Sequence, residues 1–320
     1  MAPSASAPAP SGNHTPWVKP RYIPGGPGGP GPQNPAITVS AALNSSNPAA
    51  YIAVSVDQCY CSGWYDYKGS DSMQMFATVM GYICFATCGF ILLLNVYLFN
   101  AKGKKAVAWE VMYVMTIVFT FYGFQIWLPF SSPVMVFLDT GNFVVALRYG
   151  QWLFATPVLL VLVADMMGQH TSYSHDDIYM VVADVCSVTI FFFGCLTRNI
   201  AVKIITYGFA LAGFMYLFWL AWKCFMKLYK DAPTPALKSM VKLIIVVFFV
   251  GWNMHTVFST TGPEMGMFLN AVDTEIAAVF SDMVAKCTFC LLATIFRYKS
   301  AMYFEKHGET EKKLEASDDS

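Results

Sequence analysis

The chain has 320 residues, of which 56% are hydrophobic, 16% aromatic and only 12% charged, and its 20 basic and 20 acidic side chains give a formal net charge of zero. About a quarter of a soluble globular chain is charged, so this composition excludes a soluble domain and describes a polytopic protein sitting in membrane lipid. The balanced charge gives no indication of a nucleic-acid partner, and no cysteine spacing for zinc or haem occurs.

Residues 1–50 are rich in Pro, Gly, Ser and Ala, with PGGPGGPGP as the extreme, and are predicted to be disordered. No basic stretch followed by an apolar run opens the chain, so no cleavable signal peptide is expected. A short segment, 51–73, carries Cys59 and Cys61 in a polar setting that suits disulfide chemistry. Two cysteines one residue apart bridge to each other only with strain, which makes bonds to another chain plausible. Cys84, Cys88, Cys186, Cys195, Cys287 and Cys290 lie in apolar segments and read as packing residues.

Seven apolar stretches follow, each long enough to span about 30 Å of hydrocarbon as a helix. They run Met75–Phe99, Ala106–Phe130, Phe143–Met167, Ile178–Leu196, Ile200–Phe225, Val241–Thr260 and Val272–Phe296. Residues 74–298 therefore form an all-α membrane domain, a seven-transmembrane-helix bundle, followed by a polar tail at 299–320 that is expected to be disordered from His307. Lysines cluster after spans 1 and 5, and Arg297, Lys299 and Lys306 follow span 7, whereas the loops after spans 2 and 6 carry no Lys or Arg. By the positive-inside bias the tail is cytoplasmic and the N-terminus extracellular.

Lys286 lies inside the last span, four residues after Asp282, so on a helix the amine and the carboxylate share a face one turn apart. An ammonium at that depth costs several kcal/mol unless it is paired, faces a cavity or has been chemically converted, which makes Lys286 a functional candidate. A buried lysine is the residue that condenses with an aldehyde to form a Schiff base. An ion pair that only orients helices is the blander reading. Arg148 opens span 3, and Gln151, Trp152, Ala155 and Thr156 follow at offsets that place them on its face. Span 4 contributes Asp184, span 2 begins with Glu110, and span 6 holds Trp252 and His255. Singly, Trp252 reads as core packing, His255 as a hydrogen-bonded core histidine and Thr156 as a hydroxyl satisfied by its own helix. Together they describe a buried charged cofactor site.

These residues carry a family resemblance. RYGQWLFATPVLL (148–160) resembles the third helix of microbial rhodopsins, SDMVAK (281–286) their seventh, GPEMG (262–266) their sixth-to-seventh loop, and VADV (182–185) their fourth-helix aspartate motif. QCYCSGW (58–64) and WEVMY (109–113) are similar to the channelrhodopsin branch. The resemblance implies a photoreceptor with all-trans retinal on Lys286 as a protonated Schiff base, and Asp282 as counterion with Arg148 beside it. It also implies a pocket of Gln151, Trp152, Ala155, Thr156, Met215, Trp252 and His255, with gating coupled through Thr156, Asp184 and Glu110. A homodimer linked through Cys59 and Cys61, in the plasma membrane, is implied as well.

The chain departs from the family's pumps. Gln151 and Leu162 stand where proton pumps carry an acceptor and a donor carboxylate, and a relay needs both, so a channel is favoured over a pump. Glu110 remains on span 2, but Val118 and Gln125 occupy the next positions on its face, where cation channels carry glutamates. A pore with few acidic groups leaves Arg148 and the Schiff-base cation to dominate its field, which favours chloride over cations. A cation channel and a sensory rhodopsin signalling through a partner stay as alternatives. Most relatives have Cys where this chain has Thr156, and a Trp-aromatic-Pro motif where it reads WNMHT (252–256). His255 then touches the chromophore or the pore wall, or is bonded to a neighbouring carbonyl. No enzymatic activity is expected.

Overall fold

The computed structural model describes residues 71–127, 136–137, 143–144, 146–167, 173–197, 199–262, 265 and 271–318, all within the unit Cys59–Ser320. The expectations for residues 1–50 and for Cys59 and Cys61 lie outside the described residues.

Helix α1 covers Asp71–Lys102. It ends at Gly103, whose φ of +77° is a left-handed conformation that a side chain would oppose. A short 3₁₀ turn, Lys104–Ala106, separates it from α2, Trp109–Trp127. The span expected to start at Ala106 therefore starts later, because the chain turns at Gly103 before it re-enters the bundle. Val136–Phe137 and Phe143–Val144 form a two-residue antiparallel pair, β1 and β2, with Val136 opposite Val144. Phe143 and Val144, expected in a helix, are instead β-branched and aromatic residues that satisfy their backbone in this hairpin. Helix α3 is Ala146–Ala164, with Pro157 inside it. Pro157 has no N–H to donate to the carbonyl four residues earlier, which weakens the helix next to the site.

Helix α4, His175–Cys195, begins with a capping box in which Ser174 and Asp177 satisfy each other's backbone N–H groups. Helix α5, Ile200–Asp231, is capped by Asn199, and α6, Pro235–Thr261, by Thr234 with proline in the first turn. Both α5 and α6 run further than the apolar stretches that announced them, because capping and polar turns carry helix beyond the hydrocarbon. The last span has three parts: α7, Ala271–Asp282; a π-helical turn, Met283–Thr288; and α8, Phe289–Asp318. The tail from His307, expected to be disordered, continues α8 as a helix to Asp318.

The helices pack in chain order, and α7 closes the ring against α1 and α6. Among the described residues, six helical segments are long and apolar enough to cross a membrane, and α2 adds a shorter apolar stretch, Trp109–Phe124. At 1.5 Å per residue the 19 residues of α2 reach about 28 Å, close to the thickness of hydrocarbon. The protein is a multi-pass membrane protein. Side chains such as Phe90, Leu93, Ile204 and Phe209 point outward, as lipid contact requires. The buried core runs along the inner faces of α1 to α6 and the last span.

One close approach positions the site. A Cβ on Gly251 of α6 would lie 2.6 Å from the Cα of Ala285, and Ser281 Oγ donates to the Gly251 carbonyl at 3.0 Å. Only glycine lets α6 touch the π-helical turn that carries Lys286.

Candidate functional site

Lys286 is 1% exposed, and its Nζ donates to Oδ1 of Asp282, itself 4% exposed. The second carboxylate oxygen, Oδ2, accepts from the hydroxyl of Tyr122 on α2 at 2.8 Å. His255 Nε2 lies 3.2 Å from Asp282 Oδ1, yet neither imidazole nitrogen has a hydrogen bond among the described residues. A buried ammonium is tolerable here because its counter-charge is adjacent and that counter-charge is itself tethered.

Beside Lys286 lies a cavity, partly open to the outside, walled by α3, α4, α5, α6 and the π-helical turn. Trp152, Thr156, Asp184, Trp252, His255 and Lys286 are among its lining residues. Trp152 meets His255 edge-on at 5.3 Å, and Trp252 stacks on Phe248 at 4.9 Å. From α5 the wall is built by Tyr207, Ala210, Leu211 and Phe214, spaced as one helical face. Thr156 Oγ1 donates to Asp184 Oδ2 at 2.6 Å and also approaches the Trp152 carbonyl at 2.7 Å, so α3 and α4 are bridged at the cavity edge.

Three expectations change. Met215, expected as a wall contact, is 60% exposed, because it sits one position round from the face that Phe214 presents inward. Gln151 and Ala155 are buried on α3 but do not line the cavity. The lining stripe of that helix is Trp152, Thr156 and Leu159, and Ala155 packs in the core instead. Arg148, expected beside the counterion, forms its ion pair with Glu275. Glu275 lies seven residues before Asp282, about 10 Å along the helix, so the arginine's charge is bound one site away from the lysine. Glu110 is buried on α2, with Oε2 unpartnered among the described residues.

Sequence reasoning did not find Tyr122 or Glu275. Tyr122 sits in an aromatic-rich apolar helix where nothing distinguishes it, whereas Glu275 could have been found from its two-turn spacing to Asp282. A second ion pair, Arg297 with Asp165 at 3.8 Å, joins α8 to the end of α3, where Arg297 Nη1 also donates to the Asp165 carbonyl at 2.5 Å. The seam between α3 and the last span is thus bridged at both ends, with Lys286 between.

A family model for bacteriorhodopsin-like proteins matches residues 75–300. The chain belongs to the bacteriorhodopsin-like family. Among solved structures this microbial rhodopsin is similar to the red light-activated channelrhodopsin Chrimson, at 26% identity and a TM-score of 0.70, covering 78% of this chain and 86% of that one. It shares its fold with a thermophilic rhodopsin from Rubrobacter xylanophilus, at 18% identity and a TM-score of 0.59, covering 71% and 99% of the two chains. The same holds for the proton-pumping rhodopsin of the marine alga Acetabularia acetabulum, at 17% identity and a TM-score of 0.59, covering 70% and 95%. No curated protein matches the sequence.

Rhodopsins of this family bind retinal covalently, and the residues present fit it. The cavity's lining is mainly apolar and aromatic with a few polar groups, as is usual for small-molecule sites. An amine stands in its wall, indole rings supply flat apolar contact, and four buried polar atoms without a hydrogen bond among the described residues (Trp152 Nε1, both His255 nitrogens, Asp184 Oδ1) belong to residues of its lining.

Proposed function

We propose that this rhodopsin is a light-gated ion channel, with all-trans retinal held on Lys286 and passive conduction of chloride. The observation that carries the reading is the Lys286–Asp282 pair standing in the wall of an aromatic-lined cavity inside the helical ring. Retinal supplies the absorption of light and the change of shape that follows. The chain supplies the rest. Asp282 balances the positive charge at Lys286 Nζ, and Tyr122 holds that carboxylate in place. A proton leaving Nζ meets Asp282 Oδ1 first, with His255 Nε2 3.2 Å beyond it. Trp152 and Trp252 exclude water from the chromophore's flanks. The Thr156–Asp184 bridge ties the cavity edge to α4, so a displaced wall is felt between α3 and α4.

Two ion pairs, Arg148–Glu275 and Arg297–Asp165, cross the seam on either side of the site and act as constrictions of a closed path. Chloride is favoured because Gln151 replaces the acceptor carboxylate on α3 and because the acidic groups at those constrictions are neutralised by arginine. Glu110, buried with an oxygen unpartnered among the described residues, is the feature that supports a cation channel instead. In this reading the N-terminus is extracellular and Cys59 or Cys61 links two copies as a dimer. The disulfide shows as a dimer band on a non-reducing gel that Cys59→Ser/Cys61→Ser removes.

Whole-cell recording under illumination tests the conductance. A current whose reversal follows the chloride equilibrium potential when bath chloride is replaced supports the anion channel. Reversal that follows sodium or protons assigns a cation channel, and a visible absorption band without any current assigns a sensory rhodopsin.

A further inference from the structure

The last span meets α1 through sulfur. Cys84 and Cys88, one turn apart on α1, face Cys287, the residue after Lys286 in the π-helical turn. Cys88 Sγ lies 3.4 Å and Cys84 Sγ 4.0 Å from Cys287 Sγ, and all three sulfurs lie within 4.8 Å of one another. All three are free and buried. Isolated buried cysteines usually act as small apolar fillers. Three that converge on one point from two helices make a donor set.

The chemistry of that set selects the ion. A metal bonded to sulfur at ~2.3 Å in a planar three-coordinate site requires sulfur-to-sulfur edges of about 4.0 Å, the bond length times the square root of three. The cluster therefore needs only small adjustments to receive one ion at its centre. Zinc asks for a fourth ligand, and among the described residues no further Cys, His, Asp or Glu joins the group. Soft thiolates without a fourth ligand suit copper(I).

We propose that Cys84, Cys88 and Cys287 form a binding site for one soft, three-coordinate cation of the copper(I) class. On binding, sulfur–metal bonds replace sulfur–hydrogen bonds and the released protons pass to solvent, with no change of oxidation state. The bound ion staples the first helix to the last at the place where the ring closes, one residue from Lys286. It therefore stabilises the closed bundle, because it binds the folded chain and not the separated helices.

The test is titration of the purified full-length protein with copper(I), under a non-thiol reductant and against a competing copper(I) chelator. The intact protein is expected to bind one equivalent more than the Cys84→Ser/Cys88→Ser/Cys287→Ser variant, and its thermal unfolding midpoint is expected to rise with copper only when the cluster is intact. Loss of an outer-shell partner alone typically weakens a metal site 10–100-fold, so Cys287→Ala, which removes one ligand and adds no polar group, should weaken binding about a hundredfold or more. Cys186→Ser, at an exposed cysteine outside the cluster, should change nothing. Equal binding by the intact protein and the triple variant, or an affinity within twofold of the intact protein's in Cys287→Ala, overturns the site. Should the triple variant fail to fold, the single alanine variant decides.

Discussion

Tyr122 on α2 donates to Asp282 Oδ2 at 2.8 Å, the carboxylate oxygen that Lys286 leaves free. One acid therefore ties together two helices and the only lysine of its span that is fully buried among the described residues. Replacing Tyr122 by Phe removes a hydrogen bond to a charged group, worth about 1.5–3 kcal/mol, without opening a cavity. The expected result is a lower unfolding midpoint and a shifted visible band, both read on purified pigment. An unchanged band would show that the hydroxyl does not support the counterion.

Lys286→Ala should abolish the visible band. It should also destabilise the colourless protein, because breaking a buried ion pair from one side costs about 3–5 kcal/mol through the charge left behind. Adding Asp282→Asn to that variant should recover much of the lost stability. Calorimetry or scanning fluorimetry on the three chains checks the order: Lys286→Ala least stable, the double variant between it and the original.

Gly251→Ala places a methyl group 2.6–2.8 Å from backbone and side-chain atoms of Ala285. Neither helix can yield there without moving the π-helical turn, so a cost of about 1–3 kcal/mol and a lower yield of coloured protein are expected. Gly208→Ala, where a Cβ meets nothing within 4 Å, is the control and should behave as the original chain.

Glu275→Gln removes the carboxylate charge from its buried ion pair with Arg148 and loosens one end of the seam between α3 and the last span. Two effects are expected: destabilisation of about 3–5 kcal/mol, and, in the channel reading, a leak current in the dark. The double variant Arg148→Gln/Glu275→Gln should restore stability while keeping the leak, which separates folding from gating in the same recordings.

Much of the architecture was already set by the order of residues. Seven apolar stretches, too poor in charge for water, oblige the backbone to satisfy itself as helices in lipid. A lysine and an aspartate four apart inside the last stretch, with tryptophans on two others, mark where polar chemistry must be enclosed. What periodicity could not reveal is which side chains from different helices meet. Arg148 pairs with Glu275, Tyr122 holds Asp282 and Met215 turns outward, because each depends on helix rotation and on close approaches such as Gly251 against Ala285. The two polar contacts, Arg148–Glu275 and Tyr122–Asp282, join residues more than a hundred positions apart. The physical reason is that hydrocarbon fixes the secondary structure of each segment by itself, whereas rotation and partner choice are fixed only when the segments pack against one another.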